Sequence, residues 1–186
     1  DMERAPTLSL VAGLSVVEAT RGYTGLPVLL RWPNDVVCHG KKLCGVLTEV
    51  EPRFVILGLG VNVNQSSFPQ ELAQTATSLY LELGRHLDRL ELLSNILLRL
   101  ERNYFLFLKE GKLGRLLDSI REFSSLIGER VMVKGLKKDF SGEVIDVDDQ
   151  GRLVLRLISG KIVRHVAGEV KEVGQSGRKG FTSQAH

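Results

Sequence analysis

The sequence predicts an α+β protein, with a mixed or antiparallel sheet covered by helices and then a small all-β unit. Three observations carry this. Apolar residues recur at helical spacing near the start of the chain and again beyond Asp88. Between them lie short apolar runs punctuated by Pro, Gly, Asn and Asp, the pattern of strands and turns. From Gly128 onward the pattern changes to brief alternating runs separated by turn residues.

Taken in order, residues 7–21 read as a helix. Pro6-Thr7 suits a start, Leu10, Val11, Leu14, Val17 and Glu18 recur at helical spacing, and Gly22 and Gly25 stop it. Valine is mildly unfavourable in a helix, so packing against a sheet must hold it there. Strands follow at 28–32, 43–50 and 54–63, the last two joined by Glu51-Pro52-Arg53. Residues 76–83 form a short helix ended by Gly84. Asp88 then caps a longer one with Leu92, Leu93, Ile96, Leu97, Leu100, Tyr104 and Leu108 along one side. A further helix spans 113–123. The later strands centre on Val131-Met132-Val133, Gly142 to Val147, Leu153 to Leu157 and Lys161-Ile162-Val163, with turns at Asp148-Asp149-Gln150-Gly151 and Ser159-Gly160. We expect a boundary near Ser124-Ser125 crossed by few contacts, dividing the chain into 1–125 and 126–173, and a disordered Gly/Ser/Gln-rich tail at 174–186.

Composition narrows the class. With 43% hydrophobic and 25% charged residues the chain is globular, and a net charge of +3 is small. Two cysteines, Cys38 and Cys44, argue against a disulfide framework. No second Cys or His pair stands at ligand spacing, so no zinc site is expected, and His39, His86, His165 and His186 share no grouping. Arg130, Lys134, Lys137 and Lys138 read as a solvated edge. No apolar run reaches the roughly 20 residues that cross a bilayer, and no signal peptide is visible, which points to the cytoplasm.

The most informative stretch is Arg31-Trp32-Pro33-Asn34-Asp35, followed by Lys41-Lys42-Leu43-Cys44-Gly45-Val46-Leu47-Thr48-Glu49. A buried strand runs into a polar turn, His39-Gly40 makes a second turn, and an apolar strand returns. Asn34, Asp35 and Lys42 therefore converge on one mouth of the sheet. From the residues alone, Lys42 is a solvated hairpin lysine or a fixed functional cation. Asn34 and Asp35 cap the turn or act directly, Trp32 anchors the core or stacks on a ligand, and the glycines serve tight packing or ligand approach.

These blocks resemble the signature of biotin protein ligases, with Arg31 in place of the lysine most common there. Gly58-Leu59-Gly60-Val61-Asn62-Val63-Asn64, Phe68-Pro69-Gln70-Glu71-Leu72, Ala76-Thr77-Ser78-Leu79 and Gly168-Glu169-Val170 resemble further segments of that family, in its order. The resemblance implies a class II synthetase-like core followed by an SH3-like barrel. It also implies ATP-dependent activation of biotin to biotinyl-AMP, with Mg²⁺, and transfer to a lysine of a biotin carboxyl carrier domain of acetyl-CoA carboxylase. Lys42 and Asp35 would be catalytic, and Lys42, Gly45 and Trp32 would meet biotin. Asn34, Gly58, Gly60 and Asn62 would meet the nucleotide, Asn62 towards the phosphates or their Mg²⁺, and no protein metal ligands are assigned. A homodimer is left open, and neither DNA nor a membrane is supported as a partner. The alternatives are a lipoate-type ligase of related fold and a catalytically incomplete fragment, because the family's Gly-Arg-Gly-Arg-type loop has no counterpart in this sequence.

Overall fold

The computed structural model describes residues 5–134, 139–166 and 168–172. The first helix, α1 (Ala5–Thr24), buries Leu10, Val11, Ala12, Leu14, Val16, Val17 and Ala19. A helix apolar all round must be enclosed. Here the first sheet lies against α1, and so does the long helix α3 (Arg89–Glu110).

That sheet has four antiparallel strands in sequence order: β1 (Val28–Arg31), β2 (Asp35–Cys38), β3 (Lys41–Val50) and β4 (Val55–Val61). β2 was not foreseen, because Asp35 reads as part of the polar turn. Its Val36, Val37 and Cys38 are buried, and burial makes them a strand. His39 (φ 48°) and Gly40 (φ 77°) then form the two-residue β2–β3 turn, with positive φ at both positions.

After β4 comes α2 (Leu79–Leu83), capped by Ser78, whose hydroxyl oxygen accepts from the Leu81 N–H, and closed by Gly84. Asp88 caps α3 as expected, accepting from the N–H groups of Leu90 and Glu91. The apolar stripe expected on α3 divides. Leu92, Ile96, Asn103 and Phe107 face the core, whereas Leu93, Leu97, Tyr104 and Leu108 are exposed. The exposed stripe borders a groove of about 1210 Å³ shared with Phe54 and Leu57 of the β3–β4 end. The helix expected over 113–123 is a 3₁₀ turn, Gly114–Leu116, running into α4 (Leu117–Glu122).

The second sheet is five-stranded and antiparallel: β5 (Arg130–Lys134), β6 (Phe140–Val147), β7 (Leu153–Leu157), β8 (Ile162–His165) and β9 (Glu169–Glu172), in the order β8-β7-β6-β5-β9. Gly168 leads into β9 beside β5. A Cβ there would stand 2.8 Å from the Lys134 carbonyl oxygen, so only glycine permits the approach. At the basic edge Lys134 pairs with Glu169 at 3.0 Å. Lys137, Lys138 and the tail at 174–186 lie outside the described residues.

The junction near Ser124-Ser125 is not sparsely connected. The Leu30 N–H donates to the Phe123 carbonyl, and the Ser125 N–H donates back to the Leu30 carbonyl, at 2.8 and 2.9 Å. This extends the first sheet by a parallel bridge. The β6–β7 turn docks on the first unit: Trp32 Nε1–H donates to the Gly151 carbonyl at 2.9 Å, Thr7 Oγ1–H to the Gln150 carbonyl at 3.1 Å, and the Leu113 N–H to the Asp149 carbonyl at 3.0 Å. Arg121 grips Asp146 with two hydrogen bonds, at 2.7 and 2.8 Å. Buried residues of both sheets belong to one continuous core. Among the described residues, no helix is long and apolar enough to cross a membrane.

Candidate functional site

Register decides which residues share a face. Across β2 and β3, Asp35 stands opposite Gly45, and across β3 and β4, Gly45 stands opposite Gly60 and Leu47 opposite Gly58. Cross-strand partners point the same way, so these five positions lie on one face. The alternate residues Cys44, Val46, Leu57 and Leu59 turn towards the core. A one-residue register shift between Val36 and Val37 places Lys42 opposite Val37. The result is a strip of sheet left bare by three glycines, with a charged pair at one margin.

That pair is Lys42 and Asp35, whose Nζ and Oδ1 are 2.6 Å apart. The Lys42 side chain is 49% exposed and the Asp35 side chain 28%, so the ammonium is held yet reachable from solvent. The lysine lies across Gly45: a Cβ on Gly45 would stand 3.1 Å from Lys42 Cε and 3.2 Å from Nζ. Gly58 and Gly60 differ, since a Cβ on either would find only ordinary contacts at 3.7 Å. Among the described residues, no packing contact demands glycine at those two positions.

The two asparagines brace backbone. Asn34 Nδ2–H donates to the Val46 carbonyl at 2.9 Å, and the Val46 N–H donates to the Asn34 carbonyl at 2.8 Å, tying the polar turn to β3 beside Gly45. The Asn62 N–H donates to the Leu43 carbonyl, and its Nδ2–H to the Thr77 carbonyl, at 2.9 and 3.0 Å. Trp32 is 3% exposed, with its indole N–H directed at Gly151. The structure thus seats its ring in the core, as an anchor for the turn.

The segment Ala76-Thr77-Ser78-Leu79 was recognised in the sequence, and read as helical, without a part in the site. Structurally it flanks the lysine: the Lys42 N–H donates to the Thr75 carbonyl at 2.7 Å and the Thr77 N–H to the Lys42 carbonyl at 2.9 Å. Thr77 and Ser78 are buried, and no local sequence signal ties this segment to Lys42. The cysteines are unsuited to nucleophilic chemistry. Burial, aided by nearby Asp35, pushes the Cys44 thiol up to about 12, and burial, aided by Glu82, pushes Cys38 up to about 11.

Comparison with known proteins converges on one family. Residues 1–65 match the biotin/lipoate A/B protein ligase family, and residues 126–171 match the biotin protein ligase C terminal domain. The chain is 34% identical over 168 residues to the bifunctional ligase/repressor BirA of Bacillus spizizenii, covering 86% of this chain and 51% of that protein. It is 40% identical over 168 residues to the biotin–[acetyl-CoA-carboxylase] ligase of Mycobacterium tuberculosis, covering 88% and 61%. The chain therefore spans about half to three-fifths of the length of these relatives. The structure of the Aquifex aeolicus biotin protein ligase in complex with biotin and ATP superposes with a TM-score of 0.83 at 34% identity, covering 90% of this chain and 71% of that one. With two family segments matched in order and this fold shared with a ligase at that identity, the chain belongs to the biotin protein ligase family.

Proposed function

We propose that this chain forms the glycine-faced sheet and C-terminal unit of an enzyme that activates biotin with ATP and passes it to a lysine of a biotin carboxyl carrier domain. The observation that carries the reading is the Lys42–Asp35 pair at the margin of the bare strip formed by Gly45, Gly58 and Gly60. Activation brings a carboxylate to the α-phosphate of ATP, so two anions meet and negative charge accumulates on the phosphate oxygens. A cation fixed in advance where charge develops is worth about 3 kcal/mol, because it need not reorganise during the reaction. Lys42 meets that need, held by Asp35 on one side and by backbone bonds to Thr75 and Thr77 on the other. Asp35 keeps the ammonium over Gly45. Gly58 and Gly60, crowded by none of the described residues, let a flat ligand lie against strand backbone.

Asn34 and Asn62 support the nucleotide side through the backbone they hold. The site does not build a cage for Mg²⁺. Asp35 is committed to Lys42, and the one group of three metal-binding side chains among the described residues lies elsewhere. Any Mg²⁺ would arrive on the phosphates of ATP.

The test is Lys42→Ala in the complete protein, read by biotin-dependent exchange between ATP and pyrophosphate. Exchange should fall about 10²- to 10³-fold with an unchanged far-ultraviolet circular dichroism spectrum. Near wild-type exchange would remove Lys42 from the chemistry.

A further inference from the structure

We propose that Cys38, His39 and Glu82 form a Zn²⁺ site, with an open fourth position for water, that clasps the β2–β3 turn to α2. Cys38 ends β2, His39 opens the turn, and Glu82 arrives from α2, so sequence spacing could not reveal the group. Cys38 Sγ, a His39 ring nitrogen and a Glu82 carboxylate oxygen all lie within 4.8 Å of one another. Sulfur and Nδ1 are 3.7 Å apart. In a tetrahedral site with Zn–S near 2.3 Å and Zn–N near 2.0–2.1 Å, that separation is roughly 3.6 Å. His39 Nδ1 and Glu82 Oε2 are closer, at 2.7 Å, and share a hydrogen bond. To admit the ion they must part to about 3.3 Å, which the 60% exposed His39 side chain allows.

Three features separate this group from an ordinary surface pair. The His39 ring lies back against the buried Cys38 sulfur, its Nδ1 3.7 Å away. The second oxygen of Glu82 accepts from Thr77 Oγ1–H at 2.6 Å, the kind of outer hydrogen bond that orients a ligating carboxylate. The donor set of thiolate, imidazole and carboxylate suits Zn²⁺ rather than Mg²⁺ or Ca²⁺. Binding replaces the Cys38 S–H bond with S–Zn and delivers the proton to solvent, so affinity rises with pH. The β2–β3 turn leads directly into the strand carrying Lys42, and α2 follows directly on the segment whose Thr75 and Thr77 bond to the Lys42 backbone. Occupancy would therefore stiffen the strand carrying the lysine, although the site itself does not depend on the proposed ligase activity.

The probe is Co²⁺, titrated into metal-free chain. We expect one ion per chain, a near-ultraviolet thiolate-to-cobalt absorption that Zn²⁺ bleaches, and one proton released per ion. Cys38→Ala should abolish the absorption. His39→Asn, at an exposed position where asparagine tolerates positive φ, and Glu82→Gln should each weaken binding about tenfold or more, without touching the core. Cys44→Ala should leave it intact. No thiolate absorption in the unmodified chain, or one that survives Cys38→Ala or vanishes in Cys44→Ala, would overturn the proposal.

Discussion

Gly45→Ala separates the needs of the site from those of the fold. The added methyl would sit 3.1 Å from Lys42 Cε and 3.2 Å from Nζ, yet no closer than 3.8 Å to Asp35 Oδ1. The crowded atoms are the far end of a flexible side chain, so Lys42 swings aside by a few tenths of an ångström and the strand stays in place. Alanine in a strand interior gains about 0.5–1 kcal/mol over glycine. The strained ion pair, half exposed, forfeits at most about 1 kcal/mol. Stability should therefore stay within about 1 kcal/mol, a melting shift of no more than roughly 4 °C for a chain of this size. Chemistry is less tolerant: a reacting group misplaced by about 1 Å can cost 10²-fold, so a shift of a few tenths of an ångström should lower adenylate formation in the complete protein about three- to tenfold. Single-turnover formation of biotinyl-AMP, with thermal melts of the same samples, reads both quantities. Full-rate adenylation by a stable Gly45→Ala protein would refute the claim that Lys42 must lie over residue 45. Destabilisation beyond about 3 kcal/mol would instead make Gly45 a packing residue.

Other perturbations probe the supports. Trp32→Phe removes the indole N–H and strands the buried Gly151 carbonyl, which should cost about 1–3 kcal/mol in a urea titration followed by circular dichroism; an unchanged midpoint would mean that water replaces the bond. Ser78→Ala deletes the cap that receives the Leu81 N–H and the hydroxyl that donates to the Gln65 carbonyl at 2.6 Å. A loss of about 1–2 kcal/mol and faster amide exchange in α2 should follow. Burial holds His165 below the ordinary imidazole value, and its buried Nε2 has no hydrogen-bond partner among the described residues. The unfolded chain takes up that proton from about pH 6.5 downward while the native ring resists, so stability falls as pH drops through that value. His165→Phe should lose less of its urea midpoint between pH 7.5 and 5.5 than the unmodified chain, and equal losses would exclude His165 as a contributor.

Much of the fold was legible because local signals agree with it. α1, the Asp88 cap and the turns of the second sheet follow from periodicity and turn chemistry. β2 was hidden, since three apolar residues after a polar turn form too short a run to declare a strand. On α3 nearly every non-charged position is apolar, so periodicity could not say which stripe faces inward; Asn103, buried with its amide donating to Ser15 and Glu18, marks the inner face through a polar residue. Within the site, the convergence of Asp35 and Lys42 was visible as a strand-end cluster. The shared face of Gly45, Gly58 and Gly60 was not, because it depends on the β3–β4 register, which no local sequence signal fixes. Glu82 was beyond reach, as nothing local ties α2 to the β2–β3 turn.

The carbonyl that fixes Trp32 belongs to Gly151, in a turn of the second sheet, where φ is 77° and an added Cβ would stand 3.0 Å from Leu10 Cδ1. Trp32 in turn precedes Asn34 and Asp35 by two and three positions. A map of loss-of-function alleles for the proposed ligase would consequently place Gly151 among the active-site mutations, although it touches no substrate. Removal of the second unit would likewise be scored as a catalytic defect rather than as loss of an accessory module, and a chimera that exchanged this unit would inherit the donor's activity only if its β6–β7 turn offered the indole an acceptor at the same place.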